Sequence, residues 1–186
     1  MLTVPNILTV FRIALIPVFL VCYYLPWEHA MFTAAVFFWL AAVTDYFDGY
    51  LARRLGQETA FGAFLDPVAD KVTVCAALII LVDFYNTLWI TIPAIIIISR
   101  EILISALREW MAEAGKRSEV AVANIGKWKT TAQMLALIGL ISHFNDFIIY
   151  LAYLLLYIAT ALTLWSMVIY LKVAWKQIVA IDSVKK

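Results

Sequence analysis

Six long apolar runs, separated by short polar breaks, make up nearly all of this chain. A helix rises 1.5 Å per residue, so roughly 20 apolar residues are needed to cross the hydrocarbon of a bilayer. The runs predict spanning helices near 7–25, 30–51, 62–82, 87–110, 124–142 and 147–171. Three of the breaks, Pro26-Trp-Glu-His29, Asp83-Phe-Tyr-Asn86 and His143-Phe-Asn-Asp146, contain no Lys or Arg. The other ends are basic: Arg53 and Arg54, Lys116 and Arg117, then Lys172, Lys176, Lys185 and Lys186. Cytoplasmic loops retain positive charge, so this alternation predicts an all-α membrane protein of six spans with both termini and the two longer loops in the cytoplasm. Tyr23, Tyr24, Trp27, Trp89 and Tyr150 near segment ends suit either interfacial belts or packing.

Composition agrees with the pattern. Of 186 residues, 65% are hydrophobic and 15% charged, and the mean hydropathy is +0.92, too apolar for a soluble domain to hide its surface. The expectation is one membrane domain over 1–186. Cys22 and Cys75 lie in apolar runs without CxxC or Cys/His spacing, which points to buried thiols. The opening Met1 to Asn6 lacks a basic leader and a small-residue cleavage site, so the first apolar run is expected to stay as a span.

Four charges stand against this background. Asp45 and Asp48 fall in the cytoplasmic half of the second run, Asp66 and Asp70 in that of the third. An unpaired carboxylate at membrane depth costs on the order of 3 kcal/mol. At about 100° per residue, Asp45, Asp48, Gly49 and Ala52 share one stripe, while Gly62, Asp66 and Asp70 line one edge of the next helix. The short turn from Arg54 to Phe61 makes these helices antiparallel neighbours, so the two acidic edges are expected to face each other. Carboxylates sharing a pocket repel and partly protonate unless a cation sits among them. Hard oxygen ligands without His or Cys favour Mg²⁺ or Mn²⁺ over zinc, and two such ions would balance the charge. Solvated acidic faces are common on soluble helices, but runs this apolar do not offer one. Gly49, Ala52 and Gly62 by themselves suit either close helix packing or the approach of a flat group. Pro67 disfavours the α region for Asp66, and a kink in the third span is expected.

The spacing Asp45-x2-Asp48-Gly49-x2-Ala52-Arg53-x8-Gly62-x3-Asp66-x3-Asp70 resembles the signature of the CDP-alcohol phosphatidyltransferase family at every position. The opening Pro5-Asn6-Ile-Leu8-Thr9-Val-Phe-Arg12 is similar to that family's N-terminal segment. The resemblance implies that Asp45, Asp48, Asp66 and Asp70 ligate two divalent ions at the donor's pyrophosphate. It implies that Asp70 is also the general base, deprotonating the acceptor hydroxyl that attacks the β-phosphorus of CDP-diacylglycerol. It places the donor's CDP against Asp45, Gly49, Ala52, Arg53 and Gly62, and it implies a homodimer in the bacterial inner membrane, with no nucleic-acid partner.

The acceptor is expected to be set by Arg100, Glu101, Arg108 and Glu109 in the fourth run and by Lys127 and Lys129 opening the fifth. Arg108 lies on the stripe of Glu101, seven residues back, so an internal ion pair and a phosphate contact both account for it. Lys127 and Lys129 either snorkel or bind ligand. The stretches Ser99 to Glu113 and Gly126 to Gln133 resemble the bacterial phosphatidylglycerophosphate synthases of that family, which implies sn-glycerol 3-phosphate as acceptor. Arg100, Arg108, Lys127 and Lys129 would then clamp its phosphate. Rival readings are a family member acting on inositol phosphate and an ion-coupled carrier, which also buries acids but calls for broken, repeat-related helices that the sequence lacks. The segment from Ala174 onward is expected to lie on the membrane surface or to fray.

Overall fold

A computed structural model describes residues 3–55, 59–113 and 123–184. Those residues form helices and connecting turns, with no strand among them. The helices are α1 (Val4–Tyr24), α2 (Ala30–Leu55), α3 (Ala60–Tyr85), α4 (Leu88–Glu113), α5 (Ala123–Ser142) and α6 (Asp146–Val184). Each predicted run is thus a helix. Three are long and apolar enough to cross a membrane: Asn6–Tyr24, Leu88–Ala112 and Asp146–Lys172. In α2 the continuous apolar stretch is shorter, Ala30–Asp45, because the acidic signature begins there.

The helix ends have local causes. Pro5 sits in the first turn of α1, where its missing N–H has no intrahelical partner to lose. Thr59, in extended conformation, accepts a hydrogen bond through Oγ1 from the Gly62 N–H at 3.0 Å and caps α3. At the far end of α3, Asn86 takes the left-handed conformation (φ 44°) and its N–H returns to the Val82 carbonyl. His143, also at φ 44°, lies in the break between α5 and α6. Pro67 does not interrupt α3, which runs as one helix from Ala60 to Tyr85. The last helix outruns its expected end near 171: α6 continues to Val184, so the backbone from Ala174 to Val184 prolongs this helix rather than forming a separate segment.

Short links join α1 to α2, α3 to α4 and α5 to α6. The start of α1, the end of α2 and the start of α3 meet at one end of the bundle, with the ends of α4 and α6 and the start of α5. A buried core including Phe19, Phe38, Leu78, Leu81, Ile90 and Leu137 joins five helices, and Leu156 brings in the sixth. Where α5 meets α6 the backbones come close, since a Cβ on Gly139 would stand 2.8 Å from the Ala152 Cβ. Large apolar side chains such as Val21, Ile79, Leu88 and Ile95 cover the outside. That is the surface expected of a body solvated by lipid rather than water.

α1 packs extensively on α2 and also lies along α3. Among the described residues α1 thus joins the two acidic helices, because it carries polar groups that match both.

Candidate active site

The first turns of α1 bear Asn6, Thr9 and Arg12 at intervals of three, which puts them on one side of a helix. All three are buried, Arg12 to 1% exposure. Arg12 Nη1 lies 2.5 Å from Asp45 Oδ1 on α2. Thr9 Oγ1 donates to Asp66 Oδ1 on α3 at 2.6 Å. Asn6 Oδ1 accepts from Thr59 Oγ1 at 2.9 Å, so the residue that caps α3 is itself tied to α1. This polar stripe explains how the two acidic edges share one end of the bundle.

Gly62 has a steric role in the same joint. A Cβ there would sit 2.6 Å from Asn6 Oδ1 and 3.2 Å from Thr59 Oγ1, inside the distance that side-chain carbons tolerate. Asn6 is buried and engaged, so it has little room to give. The packing alternative stated above for this glycine is therefore realised, against α1.

Asp70, two turns of α3 past Gly62, is half-buried and lies within electrostatic reach of Asp45, Arg12, Glu101 and Lys129. It stands where the acidic cluster meets a second polar network. In that network a single oxygen, Glu101 Oε1, accepts from Arg100 Nη1 at 2.9 Å and from Lys129 Nζ at 2.7 Å, joining α4 to α5. Arg100 Nη2 donates to Ser166 Oγ on α6 at 3.0 Å. Its guanidinium carbon is 5.8 Å from the centre of the Tyr170 ring, and that of Arg108 is 5.3 Å from the same ring. Arg108 Nη2 also donates to the Tyr170 hydroxyl at 2.8 Å.

Several sequence expectations can now be placed. Asp45, Gly62, Asp66, Asp70, Arg100, Arg108 and Lys129 converge on one end of the bundle. Asp48, Gly49, Ala52 and Arg53 lie on α2 and Lys127 on α5, but their side chains fall outside those described. The internal ion pair offered for Arg108 is not formed: Glu101 binds Arg100 and Lys129, and Arg108 turns to Tyr170. Lys129 does not snorkel but is buried against Glu101. Sequence reasoning gave no role to Thr9, Asn6, Ser166 or Tyr170, and it met Arg12 only as part of a resemblance. The signal for Arg12 was present, a lone cation inside an apolar span that must have a counter-charge in the bundle. For Thr9, Ser166 and Tyr170 no local pattern separates them from packing residues.

Among the described residues no three His, Cys, Asp or Glu side chains gather as a metal group; Asp45 pairs with Arg12 and Asp66 with Thr9 on α1, and the Asp48 side chain lies outside those described. The donor chemistry nevertheless suits a hard divalent cation: the acidic groups here are carboxylates, without His or Cys beside them, and they are placed where positive charge is already favoured, as the buried Arg12 shows. Asp48, one turn from Asp45 on α2, belongs to the same stripe.

Residues 2–165 match the sequence model of the CDP-alcohol phosphatidyltransferase family. A curated protein of Haemophilus influenzae is 60% identical over 171 residues, covering 92% of each chain. One of Yersinia enterocolitica is 55% identical over 177 residues, 95% of this chain and 97% of its own. One of Salmonella typhimurium is 55% identical over 171 residues, 92% of this chain and 94% of its own. All three carry the name CDP-diacylglycerol–glycerol-3-phosphate 3-phosphatidyltransferase. With the signature aspartates brought to one end of the helical bundle, and a family model and these relatives matching most of its length, the chain belongs to the CDP-alcohol phosphatidyltransferase family.

Proposed function

We propose that this membrane enzyme transfers the phosphatidyl group of CDP-diacylglycerol to sn-glycerol 3-phosphate, yielding phosphatidylglycerophosphate and CMP. The observation that carries the reading is the high identity, over nearly the full length, to relatives named for that reaction. The arrangement of charge supports it: a carboxylate cluster suited to cations and diphosphate adjoins a cationic network suited to a second phosphate, and Asp70 lies between them.

In this reading Asp45, Asp48, Asp66 and Asp70 hold two divalent ions, Mg²⁺ or Mn²⁺. When bound, such ions neutralise the donor's pyrophosphate and stabilise CMP as it departs. The protein's own groups do the rest. Arg53 at the end of α2 binds donor phosphate, and Gly49 and Ala52 let the CDP moiety come close to backbone, while Gly62 serves the packing of α3 on α1. Arg100, Arg108, Lys127 and Lys129 bind the phosphate of the acceptor, with Arg100 and Lys129 already gathered by Glu101. Asp70 takes the proton from the acceptor hydroxyl as that oxygen bonds to the β-phosphorus, and the bond from that phosphorus to the bridging oxygen breaks to release CMP.

All six helices span the bilayer in this account. Both termini and the polar end face the cytoplasm, where the Lys and Arg of the connecting segments lie. The site then stands at the boundary where a lipid donor meets a water-soluble acceptor, in a bacterial inner membrane, and the enzyme is a homodimer. Purified protein given CDP-diacylglycerol and Mg²⁺ is expected to release CMP with glycerol 3-phosphate and not with inositol phosphate or serine. Release that depends on a different acceptor would transfer the specificity to that alcohol, and no release with any of them would remove the enzymatic reading.

A further inference from the structure

The roles proposed above use groups on α2, α3, α4 and α5 and leave α1 without one. Yet α1 supplies a partner to both described ends of the acidic cluster, Thr9 to Asp66 and Arg12 to Asp45. Thr9 is 1% exposed and its hydroxyl donates at 2.6 Å to a residue 57 positions away. Such a bond fixes a carboxylate that would otherwise rotate about its last torsion, where the energy wells are broad. Both contacts are made through Oδ1, and a carboxylate has a second oxygen with which to meet a cation.

We propose that Thr9 and Arg12 are positioning residues: from one stripe of α1 they orient the Asp66 and Asp45 carboxylates for divalent metal. The inference rests on the metal reading given under the proposed function. Carboxylates that bind metal are themselves held by hydrogen bonds from a surrounding layer, and loss of such a partner weakens metal affinity roughly 10–100-fold. Thr9 gives the cleaner test, because valine is close to threonine in shape and lacks only its hydroxyl. Arg12 adds a charge, so its removal changes the field as well as the geometry.

The experiment is Mn²⁺ binding to the detergent-solubilised full chain, read by the electron paramagnetic resonance of free Mn²⁺, with far-ultraviolet circular dichroism to check folding. Thr9→Val is expected to bind Mn²⁺ at least about tenfold more weakly than the parent, and Thr9→Ser, which keeps the hydroxyl, to bind within about twofold of it. If the valine variant does not fold, Thr9→Ala also lacks the hydroxyl and is held to the same tenfold criterion. Parent-like binding in a folded variant without the hydroxyl overturns the positioning role while leaving the metal reading intact. A parent protein that binds no Mn²⁺ removes both.

Discussion

At one end of the bundle Arg12, Asp45, Arg100, Glu101 and Lys129 bring full charges into contact on four helices, α1, α2, α4 and α5, with Arg12, Arg100 and Lys129 buried. At the other end polarity is handled by aromatic groups. Tyr24 donates to Asp83 at 3.0 Å in an exposed position, and the Tyr85 hydroxyl lies 3.1 Å from both the Leu140 carbonyl and His143 Nδ1. Phe84, Tyr85 and His143 stack edge-on around them. The difference is instructive in energetic terms. A buried ion pair returns little net stability once desolvation is counted, whereas phenols and ring edges satisfy a membrane boundary at small cost. A bundle needing only stability could use the second solution twice. That it buries cations beside carboxylates at one end accords with the site proposed there.

The sharpest way to break this contrast is at Asp70. Asp70→Asn keeps the shape and removes the proposed base, and turnover is expected to fall by about 10²–10⁴-fold while CDP-diacylglycerol still binds. Ordinary turnover, measured as CMP release at saturating substrates, would take the base role from Asp70. Next in size, Lys129→Ala and Arg100→Ala are each expected to raise the KM for glycerol 3-phosphate at least about tenfold, with a smaller effect on the KM for the lipid donor, since one charge-assisted contact is worth roughly 1.5–3 kcal/mol. Acceptor KM values unchanged in both would move the phosphate site away from the Glu101 network. The smallest effect belongs to the aromatic end. Tyr85→Phe removes the bonds to Leu140 and His143, and is expected to lower thermal stability by about 1 kcal/mol with catalytic constants unaltered. A loss of activity without a loss of stability would show that the two ends are coupled.

Much of this architecture was legible before any coordinate. The runs that predicted helices are helices, and the breaks at Asn86 and His143 are where the backbone turns left-handed. Asp45, Asp66 and Asp70 stood out because a carboxylate within an apolar run must be answered by something. Less legible was what answers each one. Glu101 and Arg108 share a stripe, which suggested an ion pair along α4, but lateral partners on α5 and α6 are closer than a residue two turns away. Gly62 was ambiguous for a related reason, because the residue that crowds it, Asn6, lies 56 positions earlier in the chain.

The amino-acid sequence by itself determined the helices, their alternating direction, the acidic signature and the family. These follow from composition and from spacings within one or two turns, where the geometry of the helix is the same in every fold. Tertiary structure alone decided that α1 lies along both α2 and α3, that Thr9 and Arg12 hold aspartates on different helices, and that Glu101 gathers cations from two. Each of those contacts depends on which faces of separate helices fill one another's grooves, a property of the whole packed bundle that no local spacing encodes.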